Sequence, residues 1–257
     1  MKVTFVELPE NLQADSPKWE DKKQLIQLEK SDVLLTNEMP FGRWLFDKAE
    51  YDAVTASDVI RENELGVEAL KKLELPVVLS SRPIQHDSKL ANEAFALING
   101  VYHRAHRKQY FPDEPGFYEA AWFKGDQSGF EVINIGQVSV GFMLCTEVMF
   151  SEWARAYRRQ GAHLIVVPRS TEQNIEKWKT AASLAAIVSG CYVVSSNRAG
   201  RFSDDITFGG HGFAFAPDGT LIAETSATKP IVSFELDIDL VQYQQRQFPC
   251  YVKEPNL

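Results

Sequence analysis

Residues 141–150, GFMLCTEVMF, place a cysteine directly after an apolar run. The run QVSVGFML alternates like a strand, and SEWARAYRRQG after it is typical of a helix that begins at Ser151 and ends near Gly161. Cys145 therefore falls in a strand-to-helix turn, which can expose a side chain at a sheet edge and point backbone N–H groups at the same spot. Free cysteines usually just pack in a core. We assign that role to Cys191 and Cys250, but we predict that Cys145 is a nucleophile.

Two further polar side chains occupy positions from which they could act on such a nucleophile. Glu38, in DVLLTNEMP, ends a predicted strand just before Pro40. Lys108, in HRKQYFPDEPGFYE, leads into a proline-rich loop that closes on Glu119. A surface carboxylate or a solvated basic turn explains each of them equally well when it is taken alone. Glu38 and Lys108 indicate a catalytic site only when they are considered together with Cys145.

Together, Glu38, Lys108 and Cys145 resemble in order and spacing the Glu–Lys–Cys triad of the nitrilase (carbon-nitrogen hydrolase) superfamily. The resemblance continues through EWARAYRRQGAHLIVVP, CYVVSSNRAG and GHGFAFAPDGTLIAE, and so covers nearly the whole chain. Many amidase branches carry Trp or Tyr after the cysteine and Pro before the helix's glutamate. Here Thr146 follows Cys145 and Ser151 precedes Glu152, which leaves the branch unassigned.

The resemblance implies an α/β fold, a four-layer α-β-β-α sandwich, and a homodimer built across the helix that follows the nucleophile. It also implies the roles of the residues. Glu38 is the base that takes the thiol proton and later returns it to the departing amine, because only a few per cent of a thiol with a pKa near 8.5 is ionised at neutral pH. Lys108 and the backbone N–H of Thr146 stabilise the oxyanion. Glu119 falls where many members carry a second, supporting glutamate.

The reaction expected from this triad is hydrolysis of a non-peptide C–N bond in a linear amide or N-carbamoyl compound, through a cysteine thioester and with release of ammonia. Nitrile hydrolysis and acyl transfer by the same triad remain open, as does a sandwich-fold interaction protein without activity. A papain-like Cys–His pair is not favoured, because the usual sequence around such a cysteine is absent. Nothing in the sequence indicates a metal or an organic cofactor.

Four residues near the catalytic motifs are candidates for binding the substrate. Phe41, Trp44 and Phe117 could form an apolar pocket wall, although core packing would explain them as well. Arg169 follows Pro168 at the end of a predicted strand. We expect its guanidinium to bind a substrate carboxylate, with an ordinary ion pair as the alternative.

These residues must be positioned by alternating strands and helices. Short runs rich in Val, Ile, Leu and Phe predict about eleven strands, and apolar spacing predicts helices at residues 18–30, 62–73, 151–160 and 172–189. SDVLLTNEMP in the first half is echoed by GAHLIVVPRS in the second. Two stacked sheets with helices on both outer faces would explain the echo, but periodicity alone leaves a three-layer doubly wound sheet open.

Size and charge narrow the class of protein. We expect residues 1–257 to form one domain, since α/β units of this length are common. A net charge of −8 repels polyanions and argues against nucleic acid as a partner, so we interpret the basic run at residues 101–111 as a turn or catalytic loop.

No apolar stretch is long enough for a membrane span, and we expect a cytoplasmic enzyme with a small-molecule amide-like substrate. Residues 208–213, FGGHGF, precede a strand, which disfavours a phosphate loop.

Overall fold

The computed structural model describes residues 1–253, which form two six-stranded sheets and a small two-stranded one. The first sheet contains, in spatial order, β14 (Ile231–Glu235), β1 (Lys2–Val6), β2 (Val33–Leu35), β3 (Val77–His86), β4 (Lys89–Ile98) and β5 (Val101–Arg107). The second contains β13 (Leu221–Glu224), β12 (Phe213–Phe215), β9 (Tyr192–Asn197), β8 (Leu164–Arg169), β7 (Val138–Phe142) and β6 (Ile133–Ile135). The small sheet pairs β10 (Ala199–Arg201) with β11 (Thr207–Gly209).

Each large sheet is mixed and has three parallel strands. These are β1, β2 and β3 in the first sheet and β7, β8 and β9 in the second. The outer strands of each sheet pair antiparallel to their neighbours. The echo between the two halves of the sequence reflects this shared arrangement, since β2 and β8 hold corresponding places.

Helices cover the outer face of each sheet. α1 (Pro17–Glu29) and α2 (Ala53–Lys71) pack on the first sheet, and α4 (Glu152–Arg159) and α5 (Glu176–Ser189) pack on the second. Two shorter helices, α3 (Glu119–Trp122) and α6 (Ile238–Gln244), complete the described elements. The four-layer α-β-β-α sandwich is therefore confirmed, and the three-layer alternative is wrong. No helix within residues 1–253 is long and apolar enough to cross a membrane.

Strand alternation explains the layers. On β2, Val33 and Leu35 face the core between the sheets, while Leu34 joins the cluster under α1 and α2. On β8, Leu164 and Val166 face the same inner core, whereas Ile165 packs beneath α4 and α5. Because successive strand side chains point to opposite faces, a continuous apolar run is what a strand covered on both sides requires.

Three element predictions were wrong. Residues 101–107 form an edge strand rather than a turn, because hydrogen bonds to β4 use their backbone while the side chains of His103 and Arg104 stay exposed. α2 begins nine residues before the predicted start, where the Asp52 carboxylate caps it by accepting a hydrogen bond from the backbone N–H of Thr55 (2.7 Å). Residues 238–244 form α6, capped in the same way by Asp237.

Candidate active site

Cys145 lies in a tight turn between β7 and α4. The turn contains one 3₁₀ segment, Cys145–Met149, and the cysteine itself has a φ of +52°. A left-handed backbone at a residue with a side chain costs about 1 to 3 kcal/mol and persists only where the surrounding structure enforces it. The side chain is buried but lines the pocket described below. The strand-to-helix turn predicted from the sequence is thus present, and it holds Cys145 in a strained backbone conformation.

The residues predicted to act with Cys145 come from three separate segments of the chain and lie together in the fold. Glu38 follows β2, Lys108 follows β5, and Glu119 begins α3. The Lys108 Nζ donates to Glu38 Oε1 (3.0 Å) and to Glu119 Oε2 (2.7 Å), and all three side chains are buried. Since an ammonium has three donors, one remains after these two bonds.

The two oxygens of the Glu38 carboxylate have different surroundings. Oε1 accepts hydrogen bonds from Lys108 and from the Asn92 side-chain amide (2.8 Å). Oε2 is buried and has no hydrogen-bond partner among the described residues. A buried carboxylate oxygen without a partner costs free energy, so this atom is available to exchange a proton at the site.

Burial governs the protonation of the site. Desolvation and the Glu38 charge raise the pKa of Cys145 to about 12, although Lys108 opposes the shift. Burial alone would lower the pKa of Lys108, but Glu119 and Glu38 raise it above its ordinary value. Burial also raises the pKa of Glu119 to about 7, against the effect of Lys108. The resting cysteine is therefore a thiol beside a permanently charged ammonium.

A pocket of about 100 Å³ opens beside Cys145. Thr146, Glu119 and Phe117 line it together with the cysteine. The rest of the lining comes from the 112–117 loop and from the residues before and at the start of α5, namely Pro112, Glu114, Thr171, Glu172, Asn174, Lys177 and Trp178. Apolar surface with a few polar groups that converge on one cavity is typical of a small-molecule site.

Arg169 does not lie among the residues that line this pocket. Its guanidinium is buried and donates to Ser195 Oγ (2.6 Å), Thr171 Oγ1 (2.8 Å) and the His211 carbonyl (3.1 Å). Burial lowers its pKa to about 10, and its Cζ lies 4.7 Å from the Phe213 ring centroid. This geometry argues against the prediction that Arg169 binds a substrate carboxylate and favours a structural role, because three of its five N–H donors serve protein oxygens and the residue is buried outside the pocket lining.

Two of the three predicted aromatic wall residues belong to the core instead. Phe41 packs edge-on against Trp19 beneath α1 and α2. Trp44 packs against a cluster of other aromatic rings, and its Nε1 donates to the Gly116 carbonyl (2.9 Å). Both lie close to Glu38 in sequence, but they pack in apolar clusters and are not among the residues that line the pocket. Phe117 alone of the three lines the pocket.

Several residues of the site were not found from the sequence. Asn92 interrupts the apolar pattern of KLANEAFAL on β4, and a polar residue buried on a central strand is the signal that could have identified it. Arg198 is buried and hydrogen-bonds the carbonyls of Met39 and Gly42, which holds the loop that follows Glu38. Within residues 1–253 no three His, Cys, Asp or Glu side chains gather in a way that could hold a metal ion.

Comparison with known proteins places this chain in a family. Residues 68–246, more than half of the chain, match the family model described as carbon-nitrogen hydrolase. The chain belongs to the carbon-nitrogen hydrolase family. The resemblance seen in the sequence is thus confirmed, and the protein is an enzyme of the class that hydrolyses carbon–nitrogen bonds.

Curated relatives are similar to this chain over most of its length, and a solved structure shares its fold. Citrullinase from Francisella tularensis is 27% identical over 271 residues, covering 96% of this chain and 92% of that protein. N-carbamoylputrescine amidase from Arabidopsis thaliana is 24% identical over 245 residues, covering 86% and 80%. A carbon-nitrogen hydrolase from Helicobacter pylori G27 has the same fold, with a TM-score of 0.84 at 21% identity over 97% of this chain and 94% of that chain.

Proposed function

We propose that this carbon-nitrogen hydrolase cleaves a small linear amide or N-carbamoyl compound through a thioester on Cys145 and releases ammonia. The observation that carries the proposal is the buried network in which Lys108 bridges Glu38 and Glu119 while Glu38 Oε2 has no hydrogen-bond partner within residues 1–253. A base, a fixed cation and a thiol at one pocket are what acyl transfer to sulfur requires.

Acylation begins from the protonated thiol. Glu38 Oε2 takes the proton from Cys145 as the sulfur attacks the substrate carbonyl carbon. The resulting oxyanion is held by the remaining Lys108 donor and by the backbone N–H of Thr146, contacts worth about 3 to 4 kcal/mol per good donor. The C–N bond then breaks, Glu38 returns the proton to the nitrogen, and ammonia leaves a Cys145 thioester.

Deacylation uses the same groups, with water in place of the thiol as the attacking nucleophile and sulfur in place of nitrogen as the leaving atom. Glu38 removes a proton from water as the water oxygen attacks the thioester carbon, and Lys108 and the Thr146 N–H again stabilise the oxyanion. The C–S bond breaks, and the proton held by Glu38 returns to the sulfur. An amide thus yields an acid, whereas an N-carbamoyl compound yields a carbamic acid that decomposes to an amine and carbon dioxide.

The pocket rim favours a substrate that carries an ammonium group. Glu114 and Glu172 line the pocket, and neither carboxylate forms an ion pair with another residue in the described part of the chain. Lys177 is the cation of the rim, with its Nζ 5.7 Å from the Trp178 ring centroid. Because two unpaired carboxylates attract a cation and repel an anion, an N-carbamoyl amine or amino acid suits the pocket better than a dicarboxylic monoamide.

The experiment is ammonia release from a panel of compounds with matched chain lengths and different charges. We expect N-carbamoylputrescine and citrulline to be cleaved with higher kcat/KM than a neutral aliphatic amide, and an anionic monoamide to be the poorest. Glu172→Gln should lower kcat/KM for the cationic compounds about 10-fold or more and leave the neutral amide within about 2-fold. Asp113→Asn, which removes a neighbouring carboxylate outside the pocket lining, is the matched control.

Other outcomes of the panel would replace this proposal. Cleavage of nitriles with no turnover of amides would favour nitrile hydrolysis, and product formation only with an added amine acceptor would favour acyl transfer. Full activity in Cys145→Ala would remove the nucleophile from the mechanism, and no turnover of any compound would favour an interaction protein.

We also propose that residues 1–257 form a single domain, that the enzyme is cytoplasmic and works without a cofactor or a nucleic-acid partner, and that it forms a homodimer. Large apolar side chains are exposed on α5, on β13 and near the end of the described chain, including Leu184, Leu221, Tyr243, Phe248 and Tyr251. A second copy of the chain would cover them. Light scattering should give twice the chain mass of 29.0 kDa; the monomer mass at micromolar concentration would contradict the dimer.

A further inference from the structure

Glu147, two residues after the nucleophile, has a carboxylate that takes no part in the proton transfers above. It is fully buried and accepts three hydrogen bonds. Oε2 accepts from the backbone N–H of Leu144 (2.7 Å) and contacts His106 Nε2 (2.9 Å), and Oε1 accepts from the backbone N–H of Gln109 (2.7 Å). One side chain therefore holds two separate segments of backbone.

The two segments are the ones that carry the reacting groups. Leu144 immediately precedes Cys145, and Gln109 immediately follows Lys108. The first segment leaves β7 in the second sheet, and the other leaves β5 at the edge of the first sheet. The Glu147 carboxylate is thus a direct tie between the sheets at the level of the site.

The contacts of Glu147 help to hold the strained turn at Cys145. A left-handed φ at the cysteine persists only when neighbouring contacts enforce it. The bond from Leu144 N–H to Glu147 closes the turn on one side of the cysteine, and the backbone N–H of Glu147 donates to the Leu144 carbonyl (3.2 Å). The side chain and the backbone of Glu147 together fix the direction in which the Cys145 side chain points.

His106 completes the arrangement. Its ring is buried and lies 4.5 Å from the Phe130 ring centroid, and its Nδ1 has no partner among the described residues. An Nδ1–H would be a buried donor without an acceptor, which favours the neutral tautomer that carries its proton on Nε2. In that form His106 donates to Glu147 and supplies the third bond that a buried carboxylate needs.

We propose that Glu147 is a positioning residue that sets the separation between the Cys145 sulfur and the Lys108 ammonium, with His106 as its orienting donor. The proposal rests on the proposed function, because it assumes that these two groups act on one carbonyl. Misplacement of reacting groups by about 1 Å costs about 100-fold in rate, so Glu147 controls kcat rather than substrate affinity.

The test is Glu147→Gln, which keeps the shape but turns one acceptor into an NH₂ group facing backbone or ring N–H donors. We expect kcat to fall about 100-fold, with KM within about 3-fold of the unaltered enzyme. Glu147→Asp keeps the charge but is one methylene too short to reach both segments, and should also lower kcat. The control is Glu29→Gln, which removes a carboxylate that binds Ser233 and Lys2 far from the site and should lower stability without changing kcat.

A second readout needs no substrate. Iodoacetamide should label Cys145 faster than Cys191 in the unaltered protein, and Glu147→Gln should slow the labelling of Cys145 about 10-fold. A kcat per folded site equal to that of the unaltered enzyme, or equal labelling rates, would overturn the role of Glu147 alone. Labelling of Cys145 no faster than Cys191 in the unaltered protein would instead overturn the proposed nucleophile.

Discussion

The smallest feature on which the proposed chemistry depends is a single oxygen atom. Glu38 Oε1 is fixed by Lys108 and Asn92, while Glu38 Oε2 is buried and has no hydrogen-bond partner in the part of the chain that the structure describes. This asymmetry keeps the carboxylate in one orientation and leaves one oxygen able to accept a proton. Since burial raises the pKa of Cys145 to about 12, the proposed mechanism transfers the thiol proton to Glu38 as the sulfur attacks the carbonyl.

Asn92 offers a test at this scale. Asn92→Asp preserves size but places a second carboxylate 2.8 Å from Glu38 Oε1 in place of a donor. A neighbouring negative charge disfavours a second one, so the acidic limb of the kcat/KM profile should move to higher pH, and kcat/KM at pH 7 should fall at least about 10-fold. A pH profile that coincides with that of the unaltered enzyme would show that the Asn92 amide does not support the base.

Candidate residues are easiest to identify in a sequence when they stand at strand ends. Glu38, Lys108 and Cys145 were identifiable because each follows a predicted strand or loop boundary and their order matches a family pattern. Arg169 also follows a strand, yet its donors face inward to Ser195 and Thr171. The direction of a side chain at a strand end depends on neighbouring strands, which a single sequence does not reveal.

At the scale of elements, the position of the nucleophile depends on how β7 packs against α4. A Cβ at Gly141 would lie 2.6 Å from atoms of the Tyr157 ring. The Tyr157 hydroxyl in turn accepts from the backbone N–H of Phe142 (3.0 Å). The helix after the nucleophile is therefore locked to the strand before it, and only a glycine allows the close approach.

Gly141→Ala tests this contact. Because a well-packed ring must move, we expect the free energy of unfolding to fall by about 1 to 3 kcal/mol, as measured by urea denaturation. The remaining folded enzyme should also lose activity, since Cys145 follows four residues later. Gly129→Ala is the control, because nothing lies within 4 Å of its added Cβ and its backbone is not left-handed. Equal stability of both variants would contradict the packing argument.

Element types were predicted better than element ends. Central strands such as β8 and β9 were clear, because strands covered on both faces form continuous apolar runs. β5 was missed, because an edge strand needs no apolar side chains when its backbone pairs on one side. The start of α2 was missed because its first turns carry little apolar spacing, and the Asp52 cap rather than the pattern marks where it begins.

At the scale of the whole molecule, stacking two sheets between helices leaves thiols in fully dry positions. Cys191 lies at the start of β9 beneath α5, is completely buried, and donates to the Ala162 carbonyl (3.1 Å). Burial raises its pKa from 9.0 to about 12. Between these values the unfolded chain loses the thiol proton while the folded chain keeps it, so stability falls as the pH rises.

Cys191→Ala should therefore flatten the alkaline stability profile. We expect the slope of unfolding free energy between pH 9 and about 11 to become less steep by up to about 1.4 kcal/mol per pH unit, even though the variant is less stable at pH 7. Urea denaturation across this range measures the slope. Glu29→Gln should keep the slope of the unaltered protein, and identical slopes for Cys191→Ala and the unaltered protein would contradict the argument.

The four-layer arrangement was implied by the family resemblance, whereas the pocket could not be predicted. Repetition of strand and helix patterns in the two halves was compatible with stacked sheets but left a three-layer sheet open. The pocket instead combines the 112–117 loop with residues around the start of α5, and nothing in the local sequence links segments so far apart. Only the folded structure shows that residues such as Glu172 and Lys177 line the same pocket as Cys145.

The most direct measurement of the central claim is acid-quenched mass spectrometry of the Cys145 peptide during turnover of an amide or N-carbamoyl substrate. The mechanism predicts an acyl adduct on Cys145 whose mass equals the substrate minus ammonia, appearing before the final product and absent in Cys145→Ala. An ammonia-releasing enzyme whose cysteine never carries the adduct, or whose Cys145→Ala variant still turns over, would contradict it.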